Sequence, residues 1–197
     1  QVKGVDKGLL AAAVFATALS YLLRAVRWRY FFDTNPPKYL DSFRCLIMGF
    51  FMNNVLPARI GEFVRAHLGR ATTSHSRSTV LATIAGERLA DGLAISALFA
   101  LLFTFGSHRG EDSAASGIYY VAILFALAAV GTVVVLIRRE ALLRLLERFG
   151  RIMPGHLSGY TLVRIERFIE GLEPMLRPRR AVVITLISAI IWLDELL

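Results

Sequence analysis

Cysteine is almost missing from this chain. Its single cysteine, Cys45, excludes an intrachain disulfide, and its place in a short apolar run reads as that of a small buried hydrophobe. Enzymatic signatures are missing too. No glycine-rich dinucleotide fingerprint, phosphate-binding loop, nucleophile elbow or zincin pair occurs. The histidines, His67, His75, His108 and His156, are scattered without metal-ligand spacing, so neither a metal nor a cofactor is expected. There is no internal repeat and no low-complexity tract. Charge is absent altogether from residues 118–137. A formal net charge of +8 invites a nucleic-acid reading, but there is no lone basic domain and no aromatic-basic platform. The basic residues lie between hydrophobic blocks, where the positive-inside rule and anionic lipid head groups account for them better. No nucleic-acid partner is expected.

What the chain has is apolar sequence in blocks. Hydrophobic residues make up 55% of its 197 residues, with a mean hydropathy of +0.55. Ordinary soluble domains hold ~45–50%. Residues 8–23, 79–105 and 118–137 form long blocks, the second interrupted by Glu87, Arg88 and Asp91, and a fourth begins at 181. These lengths suit transmembrane helices. The expectation is an all-α polytopic membrane protein, one transmembrane domain over 1–197, with spans near 8–23, 79–105, 118–137 and 181–197. A cleaved signal peptide is the competing reading of the first block, since Ala16-Thr17-Ala18 mimics a cleavage site. The block instead runs on through Tyr21, Leu22 and Leu23 into a basic aromatic segment, as a helix reaching an interface does. The short fourth block and the outside-to-inside orientation of the first suggest a piece of a longer protein.

A fifth apolar run, Cys45 to Leu56, is only 12 residues long and contains Asn53 and Asn54. That is too short to cross ~30 Å of hydrocarbon as a helix. Pro57 ends it, and Gly61 permits a close backbone approach. We expect a re-entrant or broken helix, of the kind that marks substrate paths in transporters. Charge agrees. Connectors 24–44, 58–78 and 138–180 are basic, the last with ten arginines against five glutamates, whereas 106–117 carries Arg109 against Glu111 and Asp112. If 45–56 re-enters, the three basic connectors are all cytoplasmic and 106–117 is outside. A short tilted span, or a helix that ends deep in a protein bundle, is the alternative.

Residues 138–176 are polar but patterned. Leu142, Leu145, Leu146 and Phe149, then Leu162, Ile165, Phe168, Ile169, Leu172 and Leu176, fall at helical spacing with arginines between them. Two amphipathic helices, separated by a turn at Pro154-Gly155, would lie at the cytoplasmic side, either along the interface or covering the bundle.

Three polar constellations stand out. Glu87, Arg88 and Asp91 lie within an apolar block, where an ionisable group costs at least ~2.5–3.5 kcal/mol unless it faces a partner or water. Glu87 and Asp91 share a helix face, Arg88 and Asp91 can pair, and one negative charge is left over. Arg59 or Arg65 is the candidate to neutralise it. In the segment Asn53 to Arg65, Arg59 and Arg65 offer planar forks suited to phosphate, with Glu62 one turn before Arg65. The competing reading is interfacial arginines that snorkel. Arg24, Arg27, Trp28, Arg29 and Tyr30 read as an interfacial anchor.

The series RAVRWRYFF, MGFFMNNVLPARIGEFVRA and GERLADGLAI resembles a flippase-like membrane family related to the transmembrane region of lysylphosphatidylglycerol synthase. The matching positions are Arg27, Trp28, Asn53 or Asn54, Pro57, Arg59, Gly61, Glu62, Arg65, Glu87, Arg88 and Asp91, and the resemblance covers residues 20–100 best. It implies a multi-pass protein of a bacterial or archaeal cytoplasmic (inner) membrane that binds or translocates a lipid, anionic or lipid-linked. In the synthase a separate soluble domain makes the lipid, so aminoacyl transfer is not carried over. Arg59 and Arg65, with Asn53 and Asn54, would hold the head group. Glu62, Glu87, Arg88 and Asp91 would balance charge, and Pro57 and Gly61 would break the helix. An enzyme of lipid-linked glycan or phospholipid modification, using the same cavity, is the second reading. A non-catalytic membrane scaffold is the third.

Overall fold

The computed structural model describes residues 6–105, 112–150 and 155–195, which form eight α-helices and two short 3-10 turns. Among the described residues there is no strand, so the fold is all-α. Helix α1 runs Lys7–Arg29 and is capped by Asp6, whose Oδ1 accepts from the Gly8 N–H at 2.8 Å. Among the described residues it is the one helix both long and apolar enough to cross a membrane by itself. Its first half is bare, with Leu9, Leu10, Val14 and Phe15 all exposed, while its last turns are buried.

Helix α2, Tyr39–Val55, ends as the sequence requires. Leu56 precedes a proline and is extended, and Pro57–Arg59 makes a single 3-10 turn with Ala58 in the left-handed region at φ 60°. Helix α3, Gly61–Thr72, then folds back against α2. Two glycines allow this. A Cβ on Gly61 would lie 2.0 Å from the Gly49 carbonyl oxygen, so the two backbones nearly touch. Asn53 reaches across the break, and its Oδ1 accepts from the Gly61 N–H at 2.9 Å, closing the open start of α3. The apolar run read as re-entrant is therefore the second half of a helix in a broken-helix hairpin. The side chain of Arg59 lies outside the described residues.

Helix α4, Arg77–Phe105, is the hub and packs on α1, α3, α5 (Asp112–Ile137), α7 (Gly155–Leu172) and α8 (Pro178–Asp194). Helix α6 is Arg139–Gly150, and after a 3-10 turn at Glu173–Leu176 the chain enters α8, Pro178–Asp194. The amphipathic α7 spends its apolar stripe on protein. Ile169 and Leu172, with Ile165 and Phe168 beside them, pack on Ala82 of α4 and Leu136 of α5. Gly171 sits so close to α4 that a Cβ there would meet Ala82 and the Thr79 oxygen at 2.7 Å. This is the bundle-covering arrangement. Residues 106–111, which open the acidic connector, and Pro154 lie outside the described residues.

Candidate functional site

A second core cluster, Trp28, Phe32, Cys45, Ala66, Val80 and Ile84, joins the end of α1 to α2, α3 and α4. Beside it lies a chain of buried charges. On α1, Arg24 and Arg27 are one turn apart. On α4, Glu87 and Asp91 are four residues apart, so they share a face. Arg27 is 1% exposed and its Nη1 donates to Asp91 Oδ1 at 2.5 Å and to Ser188 Oγ of α8 at 2.7 Å. Its Nη2 is 3.7 Å from Glu87 Oε1. Arg65 of α3, 4% exposed, meets Glu87 from the other side at 2.5 Å and stacks on the Trp28 ring at 4.2 Å. Arg24 bridges outward, with Nη1 at 3.6 Å from Asp91 Oδ2 and Nη2 at 2.5 Å from Glu195 Oε1 just beyond α8. Ser20 Oγ also donates to that carboxylate, and Trp192 Nε1 donates to Asp91 at 3.3 Å.

Three arginines thus face three carboxylates, and each buried charge has an opposite one within reach. That is the condition for keeping ions out of water, since a buried charge without a partner costs several kcal/mol. The surplus negative charge read from Glu87, Arg88 and Asp91 is met by Arg65, as one of the two candidates, and by Arg27. Arg88 turns away from the buried row. It is 3.9 Å from Asp91 but donates from Nε to Glu62 Oε1 at 3.1 Å, a half-exposed pair.

Arg24, Arg27 and Trp28 correct the sequence reading. They are not an interfacial anchor, because Trp28 is fully buried, donates from Nε1 to Thr83 Oγ1 at 3.0 Å and lies against Gly69. Arginines beside a tryptophan at a helix end look alike whether they meet head groups or a bundle interior. The available signal was that Arg24 and Arg27, at i,i+3, share one face of α1, as Glu87 and Asp91, at i,i+4, share one face of α4. Ser188, Trp192 and Glu195 were missed outright, since α8 read only as an apolar block.

Arg24, Asp91 and Glu195, at one end of the charge row, line a groove of about 880 Å³ between α1, α4, α5 and α8. Arg24, Glu62, Arg88, Asp91, Asp194 and Glu195 supply its polar lining, and Phe50, Phe125 and Trp192 its aromatic lining. Two arginines against four carboxylates make the lining acidic. Asp91 Oδ2 and Asp194 Oδ2 have no hydrogen-bond partner among the described residues, and neither do Arg65 Nε and Nη2. A gap of about 10 Å³, enough for one water-sized group, separates Arg65 from Asn53, Glu62 and Arg88. Asn54 donates to the Phe50 carbonyl of its own helix. No three His, Cys, Asp or Glu side chains converge as metal ligands among the described residues.

Comparison with curated proteins and with solved structures returns no match. The lysylphosphatidylglycerol synthase transmembrane region matches residues 1–197, the whole chain and not only the segment 20–100 that carries the motifs. With that cover, the chain belongs to the lysylphosphatidylglycerol synthase transmembrane-region family and is a membrane protein tied to lipid handling.

Proposed function

We propose that the chain translocates a lipid across a bacterial or archaeal cytoplasmic membrane, as a multi-pass protein that takes the head group into the groove and leaves the acyl chains in the bilayer. The observation that carries this reading is a charged groove among helices whose outer faces are apolar, with Leu9, Val14 and Phe15 of α1 and Leu124 and Leu127 of α5 exposed. Charged groups at membrane depth are kept where they line a path or a cavity. Arg65 and Arg59, with Asn53 and Asn54 at the helix break, hold the head-group phosphate. Arg65 has a free guanidinium edge for this, and Asn53 keeps its amide N–H donors because its oxygen is spent on the α3 cap. Glu87 and Asp91 balance the arginines. Asp91 and Asp194 each keep a carboxylate oxygen without a hydrogen bond, that of Asp91 in an ion pair with Arg24, and these suit an amine at the far end of the head group. The Arg88–Glu62 pair stands between the groove and Arg65, and a half-exposed pair of this kind is worth only ~0–1 kcal/mol, so it opens readily.

The test is movement of a fluorescent phosphatidylglycerol in proteoliposomes holding the full-length protein. Arg65→Ala strands Glu87 and confuses folding with function, so the informative variants are Arg65→Lys and Arg59→Ala. Lysine keeps the charge opposite Glu87 but lacks the bidentate fork. Losing one charge-assisted hydrogen bond, ~1.5–3 kcal/mol, predicts lipid movement slower by roughly 10- to 150-fold. Parent rates from both folded variants would overturn the assignment.

A further inference from the structure

Parts of the three basic connectors meet at one place. The loop after α1, the turn between α3 and α4, and the faces of α6 and α7 wall a single cavity of about 1290 Å³. It shares no lining residue with the groove. Five arginines line it, Arg70, Arg77, Arg139, Arg164 and Arg167, against Asp33, Glu170 and Glu173. The three carboxylates are already engaged. Asp33 is bridged by Arg177 and Arg180 from the start of α8, Glu173 by Arg139, and Glu170 by Arg167 at 3.1 Å. Arg70 and Arg77 make no ion pair among the described residues.

Arg77 is placed against the local rules. It opens α4, where the helix dipole is positive, and the first turn holds no acid. A cation there is unfavourable for the helix alone, and a residue that breaks a local rule points to a function that the rule does not serve. The same turn brings hydroxyls to the wall. Ser76 Oγ accepts from the Thr79 N–H at 3.1 Å, and Ser74 and Ser78 line the cavity beside it. Arginine forks, hydroxyl donors and the positive end of a 29-residue helix converge on one space.

We propose that this cavity is an anion site for a phosphate-bearing group, distinct from the groove. Its volume leaves room for a phosphate carried on a larger molecule. The carrier is either a lipid head group at the membrane surface or a soluble phosphorylated molecule. The chemistry is shared, and the experiment separates them.

The full chain, in non-ionic detergent that supplies no phosphate, is titrated calorimetrically with inorganic pyrophosphate and, separately, with short-chain phosphatidic acid. Diacylglycerol serves as the uncharged lipid. Saturable binding of pyrophosphate as tight as that of phosphatidic acid identifies a soluble carrier, and binding of phosphatidic acid alone identifies a lipid. In either case Arg70→Gln/Arg77→Gln should weaken binding at least about tenfold, and lysine at both positions should recover part of it. Arg44→Gln, on the exposed face of α2 and in neither lining, should change neither titration. Should the glutamine variant not fold, Arg77→Glu is titrated instead, with the same expected loss. No saturable binding of either probe, or binding unaltered by these variants, would overturn the proposal.

Discussion

The two cavities differ in the sign of their lining and in how their charges are held. The groove is acidic, and behind it Arg24, Arg27 and Arg65 are buried and paired, with Arg24 and Arg65 against tryptophan rings. The connector cavity is basic, and its arginines are exposed or half-exposed, two of them without an ion pair among the described residues. Buried arginines are fixed in number by the carboxylates that must accompany them. Arginines near water need no such match, so their excess is left for a ligand. The same residue type is thus structural framework in one place and available binding capacity in the other.

The largest effect should come from breaking the buried row. Arg27→Met leaves Asp91 and Glu87 short of their central partner, and removing one member of a buried pair costs ~3–5 kcal/mol. We expect little folded protein from this variant in detergent, by size exclusion and thermal unfolding. Arg27→Met/Asp91→Leu should recover much of the loss, since no charge is then stranded beside Ser188. Equal damage from the single and the double change would mean that packing, not charge balance, holds the row.

Next is the helix break beneath it. Gly61→Ala places a methyl 2.0 Å from the Gly49 oxygen, where backbone has to move, and overpacking of this kind costs ~1–3 kcal/mol. Gly49→Ala meets only the Arg65 side chain and the Gly61 oxygen at 3.2–3.3 Å and should be milder. The ranking is read from the two melting temperatures.

Smaller again is Glu62→Gln, which releases Arg88 at the groove rim. Its stability cost should stay within ~1 kcal/mol because both side chains are partly solvated, while lipid movement should change. The smallest effect carries the opposite sign. Arg77→Glu replaces a cation at the positive end of α4 and should raise stability by ~0.3–1 kcal/mol while weakening pyrophosphate or phosphatidic acid binding. A loss of stability there would show that Arg77 serves the fold.

Much of the architecture could be read from pattern. The apolar blocks fall in helices and periodicity marked the amphipathic pair, although α3 lies in a stretch read as a connector; the short run ending at Pro57 marked the break, and the charges at 87, 88 and 91 marked the polar interior. What could not be read was which face each charge turns to. Arg88 sits beside Glu87 in sequence yet leaves the buried row, because one residue along a helix is about 100° of rotation. Arg27 looked like a surface anchor because the acids that claim it come 60 or more residues later. The apolar stripe of α7 suited lipid or protein, and the close approach of its Gly171 to Ala82 and Thr79 of α4 decides for protein.

The buried row also dictates an order of manufacture. Arg27 leaves the ribosome 64 residues before Asp91 and 161 before Ser188, and Arg65 comes 22 before Glu87. For that interval two arginines exist without the carboxylates that will neutralise them. Until α4 emerges they have to wait in water, at the membrane face or within the insertion machinery. Nascent chains arrested at a length that has released α3 but not yet Glu87 should therefore leave the ends of α1 and α3 open to aqueous labelling. That labelling should be lost once α4 has been made.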